Sequence, residues 1–343
     1  MREVSMIISQ NPHSPEGNRG VRTEDAKRSG QGSTSATMKA VRFHTHGGPE
    51  VLKYEDAPRP VPQQGEVLVK VYAAGVNPVD WKMREGGGRS ANLPMIPGWD
   101  FSGTIESIGM NVTGWKKGDE VYARPDISRN GAYAEYIAVR ASEIAFKPKS
   151  IDHIHAAAIP LAALTAWQSL FETGGLSAGQ KVLIHAAAGG VGHLAVQLAK
   201  WKGAYVIGTA SERNHDFLRS LGADETIDYS ETRFEDFVHD ADMVFDTIGG
   251  ETTERSWQVL KKSGILVSII NRSVEQEAAD HGLRGGYVFV QPNPGQLKEI
   301  AGLVDSGKLK PEIETVLPLT EAAKAQKMSQ GLHTRGKIVL KVI

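Results

Sequence analysis

The chain has 343 residues, with 39 Lys and Arg against 40 Asp and Glu, and it contains no cysteine. The formal net charge of −1 at pH 7 argues against a nucleic-acid partner and against binding to an anionic membrane surface. The missing cysteines exclude disulfides, thiolate nucleophiles and cysteine-ligated zinc, and they fit a cytoplasmic location. No apolar run approaches the ~20 residues of a membrane span.

Residues 1–37 differ in composition from the rest of the chain. They are polar, rich in Ser, Gly, Arg and Asn, and show no hydrophobic periodicity after Ile8. This composition predicts a disordered leader. The fold is expected to begin at Met38.

Residues 38–160 show the pattern of short strands separated by turns. The segment 66–72 alternates between apolar and polar residues, as a half-buried strand does. Further strands are predicted at 120–123 and 132–139. This part of the chain therefore predicts a mostly antiparallel β barrel.

From about residue 161 the chain alternates between strand and helix patterns, which predicts a parallel sheet with right-handed crossovers. Residues 271–285 are polar and predict a mobile loop over a cleft. A last helix near 295–306 precedes a final strand at 337–342 that is expected to return to the barrel. The domains predicted are thus 38–160 with 291–343, interrupted by 161–290. The predicted strands of the inserted domain are 181–185, 204–209, 225–228, 242–246, 264–270 and 286–290, and its helices are 160–172, 190–201, 214–221 and 252–261.

The segment 181–200 carries the most informative motif. A short apolar run at 182–184 is typical of a strand buried on both faces. Glycines then allow a tight turn, and a helix begins whose unpaired N–H groups favour a phosphate. This is the physical basis of dinucleotide binding. The residues expected at the cofactor are Ala186, Ala188, Gly189, Gly190, Val191 and Gly192.

The end of the second strand bears on the choice of cofactor. NAD enzymes place an acid there to bind the ribose 2′-hydroxyl. Alignment of the strand end puts Ala210 at that position, while Ser211 and Arg213 are suited to a 2′-phosphate. These residues favour NADPH. Glu212 is the alternative, because an inward-pointing carboxylate there would favour NADH.

Several ordered motifs together resemble one family, the zinc-less medium-chain dehydrogenase/reductases of the quinone oxidoreductase and enone (alkenal) reductase group. The motifs lie at 74–80, 97–103, 118–121, 131–136, the 186–192 turn and 336–340. The resemblance implies an α/β fold, with a doubly wound parallel Rossmann sheet, a GroES-like β barrel and an active site between them. It also implies a homodimer joined at sheet edges, for which 264–270 and 286–290 are apolar enough.

Zinc-dependent relatives carry ligands at positions that align with Asn77, Trp99 and Leu161. None of these three side chains is suited to catalytic zinc, so no metal is expected. Two His-x-His pairs, at 44–46 and 153–155, have no nearby third ligand and are interpreted as exposed polar residues.

The resemblance also suggests residues of the acceptor site. Asn77 is the first candidate to donate a hydrogen bond to the substrate oxygen, although Asn-Pro is also a common turn start. Asp80 is expected to orient the loop or the cofactor. Trp81 and Trp99 are candidates for an aromatic acceptor pocket, with plain packing as the alternative. No tyrosine is assigned as proton donor, and solvent is sufficient for that role.

Further cofactor contacts follow from the resemblance alone. Thr165 matches a position near the nicotinamide, although a helical threonine also bonds back to its own turn. Tyr229 matches a position that reaches the 2′-phosphate. The remaining candidates at the nicotinamide are Ile248, Gly249, Phe289 and Val290.

The function predicted is zinc-free hydride transfer from NADPH to a small-molecule quinone or to the C=C bond of an α,β-unsaturated carbonyl compound. Two alternatives remain. One is an NAD(P)-dependent alcohol dehydrogenase, which Asn77 and Trp99 oppose. The other is a non-catalytic NADPH-binding protein of the crystallin-like or redox-sensing kind, which the glycine turn does not exclude.

Overall fold

A computed structural model of the chain describes residues 36–87 and 92–343. The predicted leader, 1–37, lies outside these ranges except for Ala36 and Thr37. Thr37 is the first residue of the first strand, one position before the expected start.

The strands of the described ranges divide into three groups of paired strands. In chain order they are β1 (Thr37–Phe43), β2 (Leu52–Pro58), β3 (Glu66–Val76), β4 (Phe101–Ile108), β5 (Glu120–Ala123), β6 (Tyr136–Arg140), β7 (Ile144–Phe146), β8 (Lys181–Ile184), β9 (Tyr205–Ala210), β10 (Glu225–Asp228), β11 (Ala241–Asp246), β12 (Leu260–Ser268), β13 (Arg284–Tyr287), β14 (Ile313–Pro318) and β15 (Lys337–Lys341).

The α-helices of the described ranges lie mainly between the strands of the second half. They are α1 (Pro78–Arg84), α2 (His153–Ala157), α3 (Pro160–Trp167), α4 (Gly192–Trp201), α5 (His215–Ser220), α6 (Glu251–Ser256), α7 (Val274–Asp280), α8 (Pro294–Asp305) and α9 (Ala322–Gln330). A π-helical segment, Gln168–Thr173, continues α3.

The first half is built on a largely antiparallel sheet with the strand order β14-β15-β3-β4-β5-β7, and β6 pairs with β3. Strand β15 joins this sheet beside β3, as predicted for the end of the chain. The strand predicted at 132–139 is shorter than expected. Residues 132–135 instead lie against β1 through an isolated bridge between Ala40 and Ala134, and regular pairing begins at Tyr136.

The second half is a parallel sheet with the order β10-β9-β8-β11-β12-β13. Numbered from β8, this is the 3-2-1-4-5-6 order of a doubly wound nucleotide-binding sheet. The strand order reverses between the parallel neighbours β8 and β11, and ligands of such sheets bind at the carboxyl ends of the strands at this switch point. The predicted parallel sheet is confirmed.

Helix α7 corrects the prediction of a mobile loop at 271–285. Val274 and Ala278, one helical turn apart, are both buried in a cluster that includes Leu266 of β12. Their burial provides a reason for this polar segment to fold as a helix against the sheet.

Helix α8 lies beside the predicted domain boundary at 290/291. Its Leu297 and Ile300 pack in the same core as Leu194 of α4. The Tyr122 hydroxyl of β5 donates to the Leu297 carbonyl, so the helix contacts both halves. The boundary itself stays a prediction.

Within the described ranges, the helices are all too short or too polar to span a bilayer.

Candidate active site

The glycine-rich turn lies between β8 and α4, at the switch point of the parallel sheet. Ala186 adopts a φ of 46°, in the left-handed region, and its carbonyl accepts from the Gly189 N–H at 2.9 Å. A Cβ on Gly192 would meet the Ala186 carbonyl oxygen and come within 2.7 Å of the Ala187 Cα. Glycine is therefore required for α4 to begin here, with its first-turn N–H groups at the carboxyl edge of the sheet.

The C-terminal part of the barrel closes over this turn. The Gly336 N–H donates to the Ala188 carbonyl at 2.9 Å. A Cβ on Gly190 would lie 3.2 Å from the Lys337 Cδ, so the lysine side chain passes close to the turn. The predicted phosphate site is thus joined to the barrel half by the start of β15.

His193 forms a second connection of this kind. Its Nδ1–H donates to the Gly189 carbonyl at 2.9 Å, and its Nε2 accepts from the Glu312 N–H at 3.1 Å. Burial lowers the pKa of His193 to about 4, so the ring is neutral and both bonds persist at pH 7.

The loop after β11 is held by the carboxylate of Asp246. Its Oδ1 accepts from the N–H groups of Ile248 and Gly249, both at 2.9 Å. Its Oδ2 accepts from the hydroxyls of Thr253 and Ser268. Gly249 has a φ of 84°, which glycine tolerates. The buried aspartate therefore fixes the two residues that were predicted to contact the cofactor.

Exposed apolar side chains follow four strands at the carboxyl edge of the parallel sheet, namely the adjacent strands β11, β12 and β13 and the outer strand β10. Tyr229 follows β10, Ile248 follows β11, Ile270 follows β12 and Phe289 follows β13, with exposures of 56, 51, 41 and 50% respectively. Such an edge is suited to flat rings of a ligand. Val290 instead packs partly against the core. Ile270 was missed in the sequence, although it lies two residues after its strand as Ile248 does.

Phe289 and Val290 lie beyond the end of β13, not within the predicted strand at 286–290. Gln168 of the π-helical segment positions the chain that follows them. Its Nε2 donates to the Gln291 carbonyl and its Oε1 accepts from the Gln291 N–H.

At the end of β9, Ala210 is buried and Ser211 follows directly. The Ser211 Oγ accepts from the Asn214 side chain at 3.2 Å, and the Arg213 guanidinium donates to the His333 carbonyl at 3.3 Å. Glu212 is exposed, and its N–H donates to Asp228 of the neighbouring strand. Ser211 and Arg213 therefore follow Ala210, the position at which an NAD enzyme carries its acid, and they flank Glu212.

Thr165 is buried, and its hydroxyl donates to the Leu161 carbonyl at 2.7 Å. This is the helical back-bond that was the alternative reading.

Asn77 belongs to a buried polar cluster with Asp100 and Lys337. Its Nδ2 donates to the Asp100 Oδ2 at 2.8 Å, and its Oδ1 accepts from the Lys337 Nζ. Lys337 also donates to the Val76 carbonyl at 3.0 Å and lies 3.3 Å from the Asp100 Oδ2. The Leu161 N–H donates to the Asp100 Oδ1 at 2.6 Å. The amide orientation of Asn77 is thereby fixed by a cation and a carboxylate.

Burial raises the pKa of Asp100, and the Lys337 ammonium opposes that rise. Sequence reasoning did not assign a role to Asp100 or Lys337. The signal was present, because Lys337 directly precedes the apolar run 338–340 of a strand, where a buried lysine requires a partner.

Asp80 lies one helical turn from Asn77 at the start of α1. Its Oδ2 accepts from the Asn77 N–H and from the Tyr133 hydroxyl, both at 2.8 Å, while its Oδ1 is buried without a partner among the described residues. Burial raises the pKa of Asp80 to about 7. These contacts agree with a role in orienting the loop.

The two tryptophans differ in their surroundings. Trp99 is fully buried with Phe43, Met83 and Met95, and its indole N–H donates to the Arg129 carbonyl at 3.1 Å. The packing alternative therefore describes Trp99, and its predicted place in an open acceptor pocket is wrong for this conformation. Trp81 is half-buried on α1.

The positions aligned with zinc ligands do come together, but their atoms do not suit the metal. The Asn77 amide is used by Asp100 and Lys337, the Trp99 nitrogen is a donor only, and Leu161 has no ligand atom in its side chain. The carboxylate of Asp100, which contacts Asn77, is occupied by three donors. The ammonium of Lys337 supplies the positive charge in this cluster.

Comparison with known proteins places this geometry in a family. Residues 63–149 match the family described as "Alcohol dehydrogenase GroES-like domain", and residues 221–340 match the one described as "Zinc-binding dehydrogenase". An NADPH-dependent alkenal/one oxidoreductase from Arabidopsis thaliana is 37% identical and covers 88% of this chain and 79% of its own. The chain is a medium-chain dehydrogenase/reductase of the zinc-less quinone and enone oxidoreductase group.

Two solved structures share the fold over nearly the whole described chain. The quinone oxidoreductase from Coxiella burnetii superposes with a TM-score of 0.86 at 39% identity, covering 90% of this chain and all of its own. The Escherichia coli quinone oxidoreductase in complex with NADPH gives a TM-score of 0.82 at 28% identity, covering 89% and 100%. The predicted fold class, a Rossmann sheet with a GroES-like barrel, is confirmed, and this dehydrogenase/reductase binds NAD(P).

Removal of Lys337 tests the buried cluster. K337M leaves Asp100 buried without its counter-ion, so the free energy of unfolding should fall by about 3–5 kcal/mol in urea titrations. K341M on the same strand, at an exposed position, is the matched control and should change it by less than about 0.5 kcal/mol. The double variant D100N/K337M should recover part of the loss. Equal effects of K337M and K341M would contradict the assigned role.

The raised pKa of Asp80 predicts a pH-dependent stability difference. The carboxyl favours its neutral form in the folded state, so its contribution is complete below the ordinary pKa of 3.8 and is lost as the pH rises through about 7. D80N keeps a neutral group at all pH values. The stability of D80N relative to wild type should therefore increase between about pH 4 and pH 7, by about 1.4 kcal/mol for each unit by which the folded-state pKa is raised, and should stay constant above about pH 8.

Thermal or urea unfolding at several pH values measures this difference. D216N, at an exposed aspartate of α5, is the control and should show a constant difference. A D80N difference that is equally flat would show that the Asp80 carboxyl is not perturbed.

Proposed function

We propose that the chain is an NADPH-dependent oxidoreductase that delivers a hydride to a quinone or to the C=C bond of an α,β-unsaturated carbonyl compound. The observation that carries the proposal is the Asn77–Asp100–Lys337 cluster beside the glycine turn, in which Asn77 stands at a position aligned with a zinc ligand. A donor set unsuited to zinc does not favour oxidation of an alcohol through a metal-bound alkoxide. Quinones and enones are already activated and need a positioned hydrogen bond at oxygen.

A reduced nicotinamide cofactor, when bound, supplies the hydride. The turn from Ala186 to Gly192 would hold the pyrophosphate, since α4 begins there. The loop fixed by Asp246 would support the nicotinamide half together with Phe289.

The choice of NADPH over NADH rests on the end of β9. Ala210 offers no carboxylate to a ribose 2′-hydroxyl, and Ser211 and Arg213 offer donors to a 2′-phosphate. The exposure of Tyr229 directly after the adjacent strand β10 supports its predicted contact with the same group. The solved relative from Escherichia coli holds NADPH.

Solvent is the proton source in this proposal. The Tyr133 hydroxyl donates to Asp80, and burial raises its pKa well above 10, which disfavours proton release. Tyr72 stacks on His153, and Tyr136 lies under the Arg59 guanidinium, so both rings are used in packing on the barrel.

We also propose a homodimer. Strand β13 is an edge of the parallel sheet in the described residues and leaves one row of backbone groups available for pairing. Strand β12, the other predicted candidate, is interior to the sheet. The mass of the protein in light scattering tests this proposal.

Kinetic measurements with both cofactors test the function. Wild type should oxidise NADPH in the presence of 9,10-phenanthrenequinone or 2-cyclohexen-1-one and should use NADH less well. R213A should raise the KM for NADPH by about tenfold, which corresponds to the loss of about 1.4 kcal/mol of phosphate binding, and should leave the KM for NADH unchanged.

R219A, on α5 and paired with Asp216, is the matched control and should behave as wild type. Better use of NADH by wild type would favour Glu212 as the determinant. Tight NADPH binding with no turnover of either acceptor would favour a non-catalytic role.

A further inference from the structure

Arg124 is the residue directly after β5, and its side chain is 3% exposed. Its guanidinium makes no hydrogen bond to any residue of the described ranges, and its Nε is buried without a partner. Arg84, an equally buried arginine, donates to Gln326, to the Gly47 carbonyl and to Glu85. A buried guanidinium without an acceptor is costly, and such exceptions call for an explanation.

The strand register places Arg124 beside the cluster of Asn77. Ala123 pairs with Phe101 of β4. Because the two strands are antiparallel, Arg124, one residue after Ala123, lies opposite Asp100, one residue before Phe101. Ala123 also pairs with Ile144 of β7, which puts Arg124 opposite Glu143 on the other side. Directly opposite residues of a sheet project to the same face.

The face on which Arg124 lies is the one turned toward the nucleotide-binding half. Val121 and Ala123 pack in the barrel core, whereas the Tyr122 hydroxyl reaches the Leu297 carbonyl of α8. Side chains alternate along a strand, so Arg124 projects to the same side as Tyr122. Asp100 of the same face binds the first turn of α3 through the Leu161 N–H.

The carboxylates around Arg124 have other partners. Asp100 accepts from Leu161, Asn77 and Lys337. Glu143 accepts from Arg140, and Asp126 accepts from Ser128 and Arg140. Burial lowers the pKa of Arg124 while these three carboxylates oppose that effect, and an arginine remains charged at any working pH.

We infer that Arg124 binds the carbonyl oxygen of the electron acceptor and stabilises the negative charge that develops there during hydride transfer. The inference rests on the proposed function and adds the group that recognises the acceptor. The fork of N–H donors suits an oxygen that becomes anionic. Asn77, whose amide is held by Asp100 and Lys337, is then a positioning residue for this site.

With an enone, the hydride of NADPH forms a C–H bond at the β-carbon, the electron pair of the C=C bond moves toward the carbonyl oxygen, and the oxygen becomes negative. Water supplies the proton that completes the saturated ketone, and NADPH is oxidised to NADP⁺. Arg124 neither gains nor loses a proton.

Substitution of Arg124 tests its contact with the acceptor. R124Q should lower kcat/KM for 2-cyclohexen-1-one and for phenanthrenequinone by about 100-fold, as the loss of an oxyanion donor does, with the Kd for NADPH changed by less than about twofold. R219Q is the matched control, because Arg219 pairs with Asp216 at an exposed position on α5, and it should leave kcat/KM unchanged.

If R124Q does not fold by circular dichroism, R124K keeps the charge without the planar fork and should lose about tenfold in kcat/KM. Unchanged kcat/KM in the folded variant would overturn the inference. A Kd for NADPH that rises by the same factor as kcat/KM falls would overturn it too, because Arg124 would then bind the cofactor.

An equilibrium measurement separates this inference from the proposed function. In this experiment 4-nitrophenol is titrated into the complex with NADP⁺ and the absorbance of its phenolate form is followed. Wild type should lower the pKa of the bound phenol, because Arg124 stabilises the phenolate, whereas R124Q should leave that pKa unchanged. The same phenol pKa in both proteins would overturn the inference. If wild type alone lowers the phenol pKa but neither acceptor is turned over, the proposed function is rejected. Arg124 is then still a site that binds an anionic oxygen.

Discussion

The buried ion pair of Lys337 and Asp100 is the constraint on which the arrangement of the site depends. Four segments meet at it: the end of β3, the start of β4, the first turn of α3 and the start of β15. Removing two charges from water is costly, and the pair persists because nearly every donor and acceptor is satisfied. Asn77 stands between the two charges, which gives its amide one orientation.

The ion pair of Lys337 and Asp100 also connects the polar cluster of the barrel to the glycine turn of the nucleotide site. Lys337 passes within contact distance of Gly190, and the residue before it binds the glycine turn. The cation therefore lies between a buried carboxylate and the helix start at which phosphates bind.

The local sequence pattern was sufficient to predict the elements that depend on short-range backbone and burial requirements. The apolar run at 182–184 and the glycines after it predicted β8, the turn and α4, because each step is a short-range steric or burial requirement. The strand–helix alternation predicted the parallel sheet for the same reason. Helix α7 was missed because only Val274 and Ala278 mark its buried face within a polar segment.

The contacts between distant residues were not visible in the sequence. Lys337 reaches Asn77 across 260 positions, and no periodicity reports such a pairing. The sequence could not show whether Trp99 lines a pocket or packs in the core, because a tryptophan is suited to both. Its burial among core residues in the tertiary structure decides for the core. Asp80 was predicted to orient the loop or the cofactor, but its raised pKa arises from burial that the tertiary structure creates.

The two bonds that join the glycine turn to the barrel have a mechanical consequence. Gly336 and Glu312, on either side of the C-terminal helix α9, each donate to a group at the start of α4. A rotation of one half against the other would break both bonds unless its axis passes near them. Any rotation between the two halves that keeps these bonds must therefore have its axis at the phosphate end of the cleft.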